Sequence, residues 1–237
     1  MTKNNVLLII PAFNEEKSIK TTIDLVLTTG YDYVIINDGS SDHTEHILKQ
    51  NHYNFINLSS NLGIGGAVQT GYKYAHENNY DIAIQFDADG QHDILYLKPL
   101  IQPILDGKAD LTIGSCFIDK SLKNQRSSSI RRLGIKFLSS TIKLFSGKRI
   151  YDPTSGFRAA NRRVIQLFAS DYPLEYPEPI SNYQLLRSRH YKIKEVPVKM
   201  NKRAAGRSSI HSWKSVYAAI NVFLSILVLS LGRSKYD

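Results

Sequence analysis

A series of short apolar runs, set between stretches of helical periodicity, constrains this chain more than any other feature. Val6-Leu7-Leu8-Ile9-Ile10 is continuous and closed by Pro11. Tyr33-Val34-Ile35-Ile36, Phe55-Ile56-Asn57-Leu58, Ile82-Ala83-Ile84-Gln85-Phe86 and Leu111-Thr112-Ile113-Gly114 follow. Runs so short and so uniformly apolar read as strands buried on both faces of a parallel sheet. Between them, residues 14–27 carry Ile19, Ile23, Val26 and Leu27 at helical spacing. Residues 42–50, 65–78 and 95–105 also read as helices, the last interrupted by Pro99 and Pro103. Strands alternating with helices imply an α/β fold: a Rossmann-like, mostly parallel, doubly wound sheet with helices on both faces.

Ligands of such sheets bind beyond the carboxyl ends of the strands. The polar clusters Asn14-Glu15, Asp38-Gly39-Ser40, 61–66 and 87–93 all fall at or just past predicted strand ends, so they can converge on one crevice. Asp87-Ala88-Asp89 stands out among them. Two carboxylates two residues apart, closing a buried strand, can hold a hard divalent cation beside a bound phosphate. The alternative is a solvated polar turn. Asn14 and Glu15 sit where a base or ribose could be read, or where a helix needs capping. Asp38 can accept from a base or ribose. Gly63, Gly65 and Gly66 allow close backbone approach to a ligand or to the sheet. The loop lacks the Gly-Lys-Ser/Thr ending of a phosphate-binding loop and the third glycine of a dinucleotide fingerprint, which disfavours a nucleotide triphosphatase or a dehydrogenase.

With 237 residues the chain can build one large domain, or one domain and an appendage. Its 30 basic residues outnumber 21 acidic ones, for a net charge of +9. That surplus suits anionic membrane, phosphorylated substrates or nucleic acid, although no nucleic-acid recognition motif is present. The single Cys116 excludes an internal disulfide and a cysteine-based zinc site. The N-terminus enters a strand-like run at once and shows no signal peptide, so any membrane contact is expected on the cytoplasmic face.

The second half changes character. Residues 118–150 form a basic, amphipathic segment, with Ile130, Leu133, Phe137, Leu138 and Ile142 set against Arg131, Arg132, Lys136 and Lys143. It reads either as a helix packed on the sheet with a solvated basic face or as a helix lying on anionic headgroups. Residues 215–232 carry no charge. As a helix they would extend ~27 Å, against a hydrocarbon core of ~30 Å. Trp213 and Lys214 before them and Arg233 and Lys235 after them suit interfacial anchoring. The expected division is therefore 1–211 as the globular domain and 212–237 as a membrane-associated helix and tail, spanning or inserting shallowly.

Several motifs, in order, carry a resemblance. They are Pro11-Ala12-Phe13-Asn14-Glu15, Asn37-Asp38-Gly39-Ser40-Ser41-Asp42, Asn61-Leu62-Gly63-Ile64-Gly65-Gly66-Ala67, Asp87-Ala88-Asp89-Gly90-Gln91-His92, Asp152-Pro153-Thr154-Ser155-Gly156-Phe157-Arg158 and Arg203-Ala204-Ala205-Gly206-Arg207-Ser208-Ser209. Together the chain resembles family 2 glycosyltransferases of the dolichyl- or polyprenyl-phosphate sugar-synthase type, from about Val6 to about Ile210.

The resemblance implies the nucleotide-diphospho-sugar transferase (GT-A) fold and a Mg²⁺ or Mn²⁺ ion. It implies a nucleotide-sugar donor bound by Pro11, Asn14, Glu15, Asp38, Gly65, Asp87, Ala88, Asp89 and Gln91, with Asp89 and Gln91 at the metal. It implies Asp89, Asp152 and Arg203 as catalytic residues. It implies an acceptor phosphate gripped by Arg203, Arg207, Ser208 and Ser209, with Arg131 in support. His92 reads as a neutral turn histidine.

The chain departs from the family pattern in places. Cys116 stands where an arginine usually follows the fifth strand, and Ile180 replaces the last acid of a Pro-Glu-Pro-Glu pattern that keeps Glu178. One C-terminal hydrophobic segment replaces two or more, so a small membrane-protein partner or a homo-oligomer is a candidate assembly. The expectation is an inverting transferase moving a hexose or N-acetylhexosamine to undecaprenyl or another polyprenyl phosphate, for cell-envelope glycan synthesis. Its rivals are a soluble transferase acting on a saccharide or protein, and a basic membrane-binding module with no enzyme activity.

Overall fold

A computed structural model describes residues 5–119, 129–201 and 212–232. Its strands are β1 (Val6–Ala12), β2 (Asp32–Asn37), β3 (Phe55–Asn57), β4 (Ile82–Gln85), β5 (Leu111–Ser115), β6 (Arg158–Asn161) and β7 (Ile193–Pro197). Its helices are α1 (Ile19–Leu27), α2 (Thr44–Gln50), α3 (Gly63–Glu77), α4 (Leu97–Leu105), α5 (Ser129–Ser146), α6 (Arg162–Ser170), α7 (Pro177–Ser188) and α8 (Ser212–Leu231). They build a 7-stranded sheet in the order β3-β2-β1-β4-β6-β5-β7. Every strand is parallel to its neighbours except β6, which runs antiparallel between β4 and β5.

The apolar runs become strands because both of their faces are covered. Leu7 and Ile9 of β1 point into one core with Val68 and Tyr72 of α3, Phe168 of α6, Tyr183 of α7 and Val222 of α8. Leu8 and Ile10 point into the other, with Ile19 and Ile23 of α1 and Leu100 of α4. Gly71 fixes the spacing of α3 on β1: a Cβ there would fall 2.1 Å from Ile9 Cγ2.

Two expectations about the first loop need correction. Pro11 lies inside β1, opposite Ile36, and does not end the strand. Ile9 is the last β1 residue to meet β4, and it accepts from Phe86 N. The missing Pro11 N–H therefore faces a side that β4 has already left, where proline costs no ladder bond. The first helix begins at Ile19, not at residue 14. Asn14 is left-handed at φ 56° and its Oδ1 accepts from Ser41 N at 2.8 Å, which holds it in a turn.

Among the described residues, no helix is long and apolar enough to cross a membrane. Helix α8 spends Val222 and Ile226 in the core, beside α5 and α7. This corrects the spanning option: a helix with one face committed to a protein core is not apolar to lipid all round. Its other face is a stripe of exposed Tyr217, Ile220, Leu224, Val228 and Leu231. The stripe expected on α5 also divides. Leu138 and Ile142 are buried, whereas Leu133 and Phe137 stay exposed beside Arg132, Lys136 and Lys143.

Candidate active site at the carboxyl ends of the strands

The expected crevice forms where β1, β2 and β4 end. Asp38, just past β2, is buried and accepts from Leu62 N at 2.7 Å, at the start of α3. Burial pushes its carboxyl above the ordinary range, opposed by the N–H groups of Leu62 and Gly63. Asn14 and Glu15 serve the same wall. Asn14 N donates to Ser40 Oγ and Glu15 N to Thr44 Oγ1, tying the β1–α1 turn to the β2–α2 loop. The capping alternative thus takes the form of a loop-to-loop clasp, which does not occupy Asp38.

Gly65 makes its close approach to protein: a Cβ would lie 2.3 Å from Leu174 O and 2.5 Å from Leu174 Cα. Its lack of a side chain admits the loop between α6 and α7.

Past β4 the chain turns through Asp87, Ala88 and Asp89. Ala88 is buried, and its carbonyl accepts from Thr22 Oγ1 at 3.0 Å, which anchors the turn to α1. Asp89 is 6% exposed, and its Oδ1 accepts from Gln91 N at 2.9 Å. His92 folds back beneath the turn. Its Nδ1 accepts from Asp87 N at 2.9 Å, and its ring stacks on Phe157 at 4.6 Å. Burial lowers its pKa to about 4, so it is a neutral structural residue, as expected of it.

The loop before β6 forms the opposite wall. A Cβ on Gly156 would fall 3.3 Å from Asp87 Oδ2, so the bare glycine brings this wall against that carboxylate without displacing it. Asp152 is buried nearby. Its carboxylate accepts from Cys116 N and Thr154 Oγ1, both at 3.4 Å, while its own N–H donates to Glu195 Oε1 at 2.8 Å. Cys116 thus contributes a backbone contact where its side chain departs from the family pattern. Glu195 on β7 had no sequence signal, because a lone acid in a short edge strand looks solvated. Burial holds its carboxyl above the usual range against the N–H groups of Tyr151 and Asp152.

Arg158, which ends the motif that begins at Asp152, is the first residue of β6 and fully buried. Its Nη2 donates to Ser181 Oγ at 2.9 Å and Asn182 Oδ1 at 3.2 Å on α7.

The donor set fits a hard divalent cation. The turn offers carboxylate and amide oxygens, which suit Mg²⁺ or Mn²⁺. Among the described residues, no group of three or more His, Cys, Asp or Glu is placed to hold a metal ion. A cation at Asp89 would therefore take its other ligands from a bound diphosphate and water, as Mg²⁺ commonly does.

The family model for Glycosyl transferase family 2 matches residues 7–168, which include Asn14, Asp38, Asp87, Asp89 and Asp152. The chain belongs to glycosyl transferase family 2. This glycosyltransferase is 31% identical to the UDP-N-acetylglucosamine–dolichyl-phosphate N-acetylglucosaminyltransferase of Methanococcus voltae, over 98% of this chain and 99% of that one. It is 26% identical to the undecaprenyl-phosphate mannosyltransferase of Micrococcus luteus, over 92% of each. It is 35% identical to an uncharacterised protein of Methanocaldococcus jannaschii, over 84% of this chain and 82% of that one.

Among solved structures it resembles glucosyl-3-phosphoglycerate synthase of Mycobacterium tuberculosis, in complex with Mn²⁺, UDP-glucose and phosphoglyceric acid. The TM-score is 0.69 at 18% identity, covering 98% of this chain and 81% of that one. That likeness gives the glycosyltransferase its fold, the GT-A arrangement of a mixed, mostly parallel sheet between helices.

Arg203, Arg207, Ser208 and Ser209 lie outside the described residues, and Arg131 has no described side chain. The described chain reaches Asn201, whose N–H donates to Gln91 O at 2.8 Å. Asn201, two residues before Arg203 in sequence, is thus bonded to the turn that carries Asp89.

Proposed function

We propose that this glycosyltransferase moves a hexose or N-acetylhexosamine from a nucleotide sugar to a polyprenyl phosphate at the cytoplasmic face of the cell membrane, with inversion, in cell-envelope glycan synthesis. The observation that carries the reading is the bond between Asn201 and Gln91. It ties Asn201, the described residue that precedes the basic segment 202–211 in sequence, to the donor turn. The acceptors named for the Methanococcus voltae and Micrococcus luteus relatives, dolichyl and undecaprenyl phosphate, support the same class here.

Asp38 and the Asn14–Ser41 clasp would receive the nucleoside, and Asp87 and Asp89 would face its diphosphate. A Mg²⁺ or Mn²⁺ ion held by Asp89 and Gln91 would supply positive charge to the departing diphosphate. A phosphate monoester has a second pKa of about 6, so at neutral pH it is largely dianionic and nucleophilic without a general base. One of its oxygens would attack the anomeric carbon as the bond to the nucleoside diphosphate breaks and its electron pair leaves with that group. Arg203, Arg207, Ser208 and Ser209 would hold the phosphate in line, with Arg131 in support, because planar forks and hydroxyls match phosphate oxygens. Asp152 would position this wall of the site.

The exposed apolar stripes of α5 and α8, flanked by Arg132, Lys136 and Lys143, suit shallow contact with anionic lipid. The test is to incubate membranes carrying the enzyme with labelled nucleotide sugars and extract the lipids. A labelled polyprenyl-phosphate sugar that disappears with Asp89→Ala is expected; label found only in water-soluble product sinks the reading.

A second reading, transfer to a soluble saccharide or protein, draws on the described helices, none of which is long and apolar enough to cross a membrane. A neutral hydroxyl acceptor needs a general base, and buried Asp152 or half-buried Glu178 would have to supply it. Activity that survives deletion from residue 215 onward and dies with Asp152→Asn would favour this alternative.

A further inference from the structure

Strand β4 runs Ile82, Ala83, Ile84 and then Gln85, which is 1% exposed. A leucine or valine would fill such a position without burying a polar group, and burying an amide costs free energy unless it is bonded. Its Oε1 has no partner among the described residues, so the carbonyl end gives no reason for the amide. The other end does. Nε2 lies 3.5 Å from Asp87 Oδ1 and 3.5 Å from Glu178 Oε1, on the first turn of α7. A primary amide carries two N–H donors, one for each carboxylate. Gly156 closes the arrangement from above: a Cβ there would come within 2.8 Å of Gln85 Nε2.

The buried Arg158 favours the ionised form of Glu178, against its burial, and is tied to α7 through Ser181 and Asn182. Without an amide between them, the carboxylates of Asp87 and Glu178 would face each other as two like charges with no donor to separate them.

We propose that Gln85 is a positioning residue for the donor site: its amide bridges Asp87 and Glu178, sets the orientation of the Asp87 carboxylate, and links helix α7 to the place where the nucleoside diphosphate binds. This rests on reading Asp87 and Asp89 as the diphosphate site. Gln85 itself touches no substrate. Its effect passes through Asp87, and Glu178 acts on the donor through the same amide.

The test uses the full chain and binding, not turnover. UDP and GDP, each with Mn²⁺, are titrated calorimetrically into wild type, Gln85→Met, Glu178→Gln and the double variant, and melting temperatures are recorded without ligand. Methionine keeps the length and volume of glutamine and removes only the amide. Gln85→Met is expected to weaken nucleotide binding by about tenfold, the worth of one hydrogen bond to a charged group. Its unliganded melting temperature should stay near wild type. Glu178→Gln alone should weaken binding by about threefold, and the double variant should bind no worse than Gln85→Met, because neighbours acting through one bridge are not additive.

Wild-type affinity in Gln85→Met, or losses that multiply in the double variant, would overturn the proposal. If Gln85→Met melts well below wild type, Glu178→Gln decides alone, and unchanged affinity there overturns it. A wild type that binds neither nucleotide overturns the diphosphate reading, and this inference with it.

Discussion

His92 holds Asp87 from two sides: Nδ1 accepts the Asp87 backbone N–H at 2.9 Å, and Nε2 faces the Asp87 carboxylate at 3.5 Å. The first contact requires Nδ1 to be unprotonated, which leaves the proton on Nε2, pointing at the carboxylate. Replacing the imidazole would orphan a backbone N–H and open a cavity against Phe157. His92→Ala is expected to lower stability by on the order of 2–4 kcal/mol, read from urea denaturation. A loss below about 0.5 kcal/mol would show that the ring is not the support described.

Asp38 trades stability for a polar crevice. Its carboxyl is raised by burial, so the folded chain keeps that proton to higher pH than the unfolded chain does. The associated stability is full below the unfolded value of about 3.9 and is lost as pH rises through the raised value. Asp38→Asn keeps an acceptor for Leu62 N and cannot ionise. It should melt higher than wild type at pH 7, with the gap closing by about pH 3.5, and it should bind nucleotide more weakly. A gap that widens on acidification would refute the sign.

Two glycines should separate folding from binding. Gly65→Ala drives a methyl into the backbone of Leu174, 2.3 Å from its carbonyl oxygen, and should cost about 1–3 kcal/mol of stability. Gly156→Ala presses on the Gln85 amide and the Asp87 carboxylate, side-chain atoms that can yield. Its melting temperature should fall less, while its affinity for UDP or GDP with Mn²⁺ falls more. The reverse ranking would remove Gly156 from the donor wall.

Removal of divalent metal by chelation should abolish transfer, and Mg²⁺ or Mn²⁺ should restore it. Asp89→Ala should lower turnover by on the order of 10²–10³, the scale seen when one stabilising group is taken from a developing anion. It should also erase the thermal stabilisation that nucleotide and metal give the wild type. Full activity in chelator would sink the metal assignment.

Val228 and Leu231 are 69% and 82% exposed on the outer stripe of α8. Changing both to Glu should leave the melting temperature nearly unchanged, because neither fills the core. It should release the protein from vesicles containing anionic phospholipid, measured by co-sedimentation, and binding of the wild type should weaken with salt. Unaltered sedimentation would locate membrane contact elsewhere.

Strands β1, β2, β4 and β5 were legible because each has an apolar centre buried on both faces. The Asp87-Ala88-Asp89 turn was legible because charge at the end of a buried strand is costly without a use. Strand β6 was hidden. Arg158-Ala159-Ala160-Asn161 holds a charge, two small residues and an amide. It becomes a strand because β4 and β5 both lack a partner on that side, and Arg158 is buried because α7 supplies Ser181 and Asn182. Gln85 reads in the sequence as part of an apolar run, because its second carboxylate partner, Glu178, comes from a helix far along the chain.

By itself, then, the sequence determined the order of strands and helices as far as β5, the crevice at their carboxyl ends and the family to which the chain belongs. All of these are written in short-range pattern, in residue type and spacing. Tertiary structure alone decided which polar residues are structural and which are left for a ligand. Gly65 spends its freedom on Leu174, Asn14 on Ser41, and His92 on Asp87, while Asp87 itself is steadied from behind by Gln85. The physical reason is that a buried polar group must find a partner, and the partner is set by which elements pack together, not by which residues are neighbours in the chain.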